Sequence, residues 1–147
     1  AELTNAATSN DVDFSATGSD TNVGMSFTAK GSGKFKFNDS AYFPEVALTD
    51  ASTIAWDCQA ASVAKVTLGA SRTLGAGTNA VAGQFVSLLV IQDGTGSRTL
   101  SFNAVYEFAG DVAPTLTTTA AKGDLFVFRY NGAKFLEVGR NLNLTLS

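Results

Sequence analysis

Leu125-Phe126-Val127-Phe128-Arg129-Tyr130-Asn131-Gly132-Ala133-Lys134-Phe135-Leu136-Glu137-Val138 places two apolar-rich runs on either side of an Asn-Gly pair. Short runs rich in aromatic and β-branched residues, bounded by turn residues, read as strands rather than helix. Asn-Gly readily takes the positive φ angles that a two-residue type I′ turn demands, so the stretch reads as a β-hairpin. Two more glycine turns extend the pattern. Asp93-Gly94-Thr95-Gly96 separates residues 85–92 from 98–103, and Gly31-Ser32-Gly33 separates 23–28 from 34–38. Glycine relieves the steric penalty of φ > 0 in both, and each is expected to be a hairpin.

Helical spacing of apolar residues is hard to find elsewhere, whereas period-two alternation bounded by Gly, Asn and Asp recurs every eight to twelve residues or so. The chain reads as all-β, with strands near residues 12–16, 23–28, 34–38, 45–48, 53–57, 62–68, 85–92, 98–103, 124–130, 134–140 and 142–146. Phe85-Val86-Ser87-Leu88-Leu89-Val90-Ile91 is apolar at nearly every position, which implies a strand covered on both faces, inside a sandwich or against a neighbouring subunit. Lys34 to Phe37 and Arg98 to Phe102 carry one apolar and one polar face. Two stacked antiparallel sheets, a jelly-roll-like sandwich, satisfy both patterns.

The 147 residues have room for one medium domain with a short appendage. With 45% hydrophobic and 16% charged residues there is material for a core, and a surface left largely to Ser, Thr, Asn, Gly and Ala. Composition shifts near residues 38–43. The earlier segment holds few large apolar residues and by itself buries too little surface to offset the entropy of ordering it. The chain is therefore divided into a shaft, attachment or trimerisation module over residues 1–40 and a sandwich domain over 41–147. The cheapest partner for the first is the same segment of neighbouring chains.

The formal net charge of −3 includes no basic stripe, and Lys30, Lys34 and Lys36 are too few for phosphate-backbone binding, so nucleic acid is not an expected partner. No run of about 18 apolar residues occurs, and membrane insertion is not expected. Cys58 is the only cysteine, which precludes an intrachain disulfide.

Gly18 to Phe37, of the form S/A-D-T-N-hydrophobic-G-x-x-hydrophobic-x-x-K-G-x-G followed by alternating apolar residues, resembles a segment that recurs in fibre and spike proteins of tailed bacteriophages. The strings Gln92 to Leu100, Phe108 to Thr117 and Phe126 to Gly132, in that order, resemble a domain at the ends of phage structural proteins. Together these resemblances imply a homotrimeric protein of the virion exterior (tail fibre, spike, head fibre or capsid decoration), made in the bacterial host cytoplasm. They imply capsid or tail proteins as partners and a host surface glycan as a further one. They carry no catalytic residue across.

Histidine is absent, which removes Ser-His-Asp and Cys-His nucleophile activation. Gly31-Ser32-Gly33-Lys34 lacks the rest of a phosphate loop: Phe35 stands where Ser or Thr should hold magnesium. Glycoside hydrolysis needs only two carboxyl groups, for which Glu45, Asp57, Glu107 and Glu137 are the candidates, without a signature. Asp11, Asp13, Asp20 and Asn22 are loose calcium-ligand candidates, and Asp93 with Gly94 and Gly96 reads as an Asx-type turn. Trp56 is expected in the core and Cys58 as an inert apolar residue. Tyr42, Tyr106 and Tyr130 are the candidate receptor contacts. No catalytic, cofactor or metal site is expected. Alternatives to the structural reading are a lectin-like module and a polysaccharide-degrading spike enzyme.

Overall fold

The computed structural model describes residues 17–19, 21, 23–34, 36–38 and 40–147. The chain divides into two units, Ala1–Ala41, the leader, and Tyr42–Ser147, the body. The body carries β1 (Glu45–Ala47), β2 (Thr53–Asp57), β3 (Val63–Leu68), β4 (Arg72–Thr78), β5 (Phe85–Gln92), β6 (Leu100–Phe102), β7 (Tyr106–Glu107), a 3-10 turn (Ala109–Asp111), β8 (Lys122–Tyr130) and β9 (Phe135–Thr145). It is all-β.

The first six strands alternate between two sheets. β1, β3 and β5 run parallel in one, and β2, β4 and β6 run parallel in the other, which makes a two-sheeted coil of three rungs. β8 then pairs antiparallel with β5, β9 antiparallel with β8, and β7 parallel with β9. The larger sheet has the order β1-β3-β5-β8-β9-β7. Both sheets line one core, as a sandwich would, but the antiparallel expectation holds only across β5, β8 and β9.

The correction originates at Asp93 to Gly96, which is a crossing between sheets and not a hairpin. The Gln92 side chain bonds the backbone of Arg98 twice, accepting from its N–H and donating to its carbonyl, both at 2.9 Å, and so occupies the place of a paired strand. Gly96 has φ 75°, and a Cβ there would lie 2.5 Å from the Thr118 carbonyl oxygen, so only glycine lets this turn press onto the segment before β8. Ser97 N–H donates to the same carbonyl at 2.7 Å. The chain is thereby led into β6, beside β4.

The β8–β9 hairpin forms, with a different tip from the one expected. Type I′ needs positive φ at both central residues; Gly132 has φ 101° and Asn131 is not among the positive-φ residues. Asn131 acts through its side chain, accepting from the N–H groups of Ala133 and Lys134 at 2.9 and 2.7 Å. β9 joins the two expected strands 134–140 and 142–146, while β8 opposite it carries register shifts that absorb the bend.

The inner faces follow from alternation. Ala64, Val66 and Leu68 of β3, Val86, Leu88 and Val90 of β5, and Phe126 and Phe128 of β8 are buried, facing Ile54, Trp56, Leu74 and Leu100 of the smaller sheet. Each large side chain so buried contributes roughly 1.5–3 kcal/mol. Trp56 stacks on Phe135 at 6.4 Å between centroids and donates its indole N–H to the Ala61 carbonyl at 2.7 Å. Asp124, also buried, accepts from Thr117 N–H and Oγ1 at 2.7 Å each and from Asn143 N–H at 2.9 Å, tying the loop before β8 to the end of β9.

In the leader, the described residues of the expected strands 23–28 and 34–38 are not strands. A turn is present, with Gly33 N–H donating to the Lys30 carbonyl at 3.1 Å and Gly31 at φ 62°, but no ladder follows it. A lone two-stranded ribbon without a face to pack against is marginal in water. The expected strand 12–16 lies outside the described residues.

Candidate functional site

The first rung of the coil is open. β1 is the edge of the larger sheet and β2 the edge of the smaller one, so both present unpaired backbone N–H and carbonyl groups. Between them lies a groove of about 340 Å³, lined among others by Val46, Leu48, Thr53, Ala55, Asp57 and Ala61. No Lys, Arg or Pro stands in either edge strand to discourage pairing.

A second surface is the outer face of the larger sheet. β5 buries Val86, Leu88 and Val90 inward, but Phe85 is 57% exposed and Ser87, Leu89 and Ile91 are half-buried. The run 85–91 is thus covered on one face, while the other is only partly covered within a single chain. Phe43, Val63, Phe85 and Val127 surround an apolar depression of about 270 Å³ there. In the leader, Val23, Met25, Phe27 and Phe37 are exposed as well.

A third concavity, of about 310 Å³, lies beside β7 and the 3-10 turn. Asn103, Glu107, Asp111 and Lys134 stand over Phe102, Tyr106 and Phe108, and Lys134 Nζ sits 3.3 Å from Glu107 Oε2. Gly110 and Asp111 both have positive φ, which turns the chain sharply at the rim.

The three tyrosines part company. Tyr42 is 83% exposed and Tyr130 is half-buried, its ring 4.6 Å from that of Phe135. Tyr106 is a correction: it is 5% exposed and donates its hydroxyl to the Gly75 carbonyl at 3.0 Å, and burial pushes the phenol well above its ordinary range. Its ring packs on Phe135 and Phe128, so it cannot also present itself to a receptor.

The carboxylates of the glycosidase reading are each engaged locally. Glu45 pairs with Lys65 at 2.7 Å, Glu107 with Lys134, and Glu137 with Arg140 at 2.8 Å. Asp57 accepts from Asn79 Nδ2 and from the Gln59 and Ala60 N–H groups, which holds its carboxyl below the usual range, the Asn79 bond foremost. Among the described residues no group of three or more Asp, Glu, Cys or His could hold a metal ion. The candidates Asp11, Asp13, Asp20 and Asn22 lie outside them. Asp93 makes the expected Asx turn, accepting from Thr95 and Gly96 N–H through Oδ1 and from Arg98 through Oδ2. Cys58 is buried between Trp56 and Gly77, and burial, with the Asp57 charge second, pushes its thiol up to about 12.

Sequence reasoning missed the open rung and the exposed Phe43 and Phe85. Their signal was the continuous apolar run 85–91, readable equally as interior or as subunit contact. No family model, no curated protein and no solved structure matches this chain. Among the described residues no helix is long and apolar enough to cross a membrane.

Proposed function

We propose that this chain is a non-enzymatic structural protein of the exterior of a tailed-phage virion, a fibre, spike or capsid decoration, that works by assembling with copies of itself as a homotrimer. The resemblance of Gly18 to Phe37 to phage fibre segments supports the virion setting. The observation that carries the assembly is the apolar surface a single chain leaves bare: Val23, Met25, Phe27 and Phe37 in the leader, and Tyr42, Phe43 and Phe85 in the body. Contiguous exposed apolar surface of this kind marks a protein-protein contact. Repetition about one axis then raises weak contacts to useful avidity.

Light scattering on the full chain and on a chain beginning at Ala41 tests this. The expected masses are that of a trimer for the first and of a monomer or looser species for the second. A monomeric full chain at micromolar concentration would sink the reading.

A second reading, glycan binding, is favoured by one feature. The cleft of Asn103, Glu107, Asp111 and Lys134 offers amide, carboxylate and ammonium groups above apolar rings, a combination that suits vicinal hydroxyls on a sugar ring. A glycan array probed with the full chain and with Glu107→Gln tests it, and absence of any signal on host polysaccharide counts against it.

A further inference from the structure

The coil has a spare place, and the sequence before it keeps the coil's period. β3 follows β1 in register 18 residues later, with Glu45 beside Val63, and β4 follows β2 20 residues later, with Thr53 beside Thr73. A step back of about 19 residues, between these two, brings both alternating runs of the leader onto the first rung. Phe27 falls on Val46, Phe35 on Ile54 and Phe37 on Trp56, all three at inward positions of β1 and β2. Ser26, Thr28, Lys34 and Lys36 fall on Glu45, Ala47, Thr53 and Ala55, all at outward positions. The turn Lys30–Gly33 falls on the connection between β1 and β2. One offset therefore matches apolar to buried and polar to exposed along two strands and a turn. A slip of one residue would invert every match.

We propose that residues 23–38 of one copy form a fourth rung on the open β1/β2 end of a second copy, adding one strand to each sheet edge. This rests on the self-assembly reading above and names the segment and the surface that meet. The groove between β1 and β2 is where the inward phenylalanines would sit, and the unpaired edge groups of β1 and β2 supply the ladder. The donor is a second copy because the described leader residues of a single chain form no strand, although the segment between the leader and β1 is as long as the connections between rungs.

Paired cysteines test this. Lys36→Cys is placed in one population of full-length chains and Ala55→Cys in another carrying a size tag; both positions are exposed, and Cys58 stays in place because it is buried. Neighbouring strands lie about 4.8 Å apart, within disulfide reach. Mixing and mild oxidation are expected to give a disulfide between chains of the two sizes. If the double variant Lys36→Cys/Ala55→Cys instead closes within its own chain as a monomer, the rung is formed in cis and the proposal falls. An oligomer by light scattering without the mixed disulfide overturns the rung and leaves self-assembly standing, whereas a monomer without it removes both.

Discussion

Two segments of this molecule share one pattern and differ in outcome. Val63-Ala64-Lys65-Val66-Thr67-Leu68 and Val23-Gly24-Met25-Ser26-Phe27-Thr28 both alternate apolar with small or polar residues. The first is β3, paired on both edges, with Ala64, Val66 and Leu68 at 1% exposure or less. The second carries no ladder, and Val23, Met25 and Phe27 are 45%, 47% and 61% exposed. Alternation decides which face a side chain joins once a strand exists. Whether the strand exists is decided by edges to pair with and a face to pack on.

The largest contrast between the two regions is expected from truncating their apolar side chains. Trp56→Ala removes a ring that is 1% exposed and stacked on Phe135, and should cost about 3–5 kcal/mol by chemical denaturation. Met25→Ala should change the stability of the isolated chain by no more than about 0.5 kcal/mol. A comparable loss at Met25 would mean that the leader is already packed and would erase the contrast.

Next comes the polar tie of the body. Asp124→Ala leaves the N–H groups of Thr117 and Asn143 without their acceptor inside a closed site, and should cost about 2–3 kcal/mol. Hydrogen exchange should then quicken at both amides while β3 stays protected. Uniform quickening would show that the tie is not local.

Of similar or smaller size is Gly77→Ala. Its Cβ would lie 2.6 Å from Phe135 Cζ and 3.1 Å from Cys58 Sγ, an overpacking worth roughly 1–3 kcal/mol. Gly24→Ala, in the leader with open space around it, should be neutral in the same assay.

The smallest effect is electrostatic. Hydrogen bonds from Arg72 and Arg98 hold the carboxyls of Asp50 and Asp93 below their ordinary value of 3.8. A pKa depressed by folding adds stability that is present above the unfolded value and lost as pH falls through the folded one. The denaturation midpoint should therefore drop on acidification below about pH 4. Asp50→Asn with Asp93→Asn should flatten that drop, and a chain beginning at Ala41 should keep it unchanged. Loss of the acid limb on removing the leader would place the responsible carboxyls there instead.

The strands of the body were legible because their signal is local. β2 and β5 fall on the expected residues, and β3, β6 and β8 within two of them. Pairing was not legible, since a parallel coil and an antiparallel sandwich ask for the same alternation. The one residue that tells them apart is Gln92, whose side chain diverts Arg98 away from β5. β4 was hidden by Gly75 and Gly77, which look like turn residues. They are there because Ile54 and Phe135 approach too closely for a side chain. Of the candidate sites, Trp56, Cys58 and the Asp93 turn were readable from neighbouring residues. The burial of Tyr106 was not, because the Gly75 carbonyl it bonds lies 31 positions away.

The order in which β5, β8 and β9 pair bears on synthesis. The coil rungs bring together residues far apart in sequence and close slowly, whereas the β8–β9 ribbon is the local, fast element. That ribbon is the last part of the body to leave the ribosome, and β5 has no antiparallel neighbour until it arrives. Nascent chains therefore carry Phe85 to Ile91 uncovered through nearly the whole of translation, and expression yield should respond to chaperone supply more than the finished fold's stability would suggest.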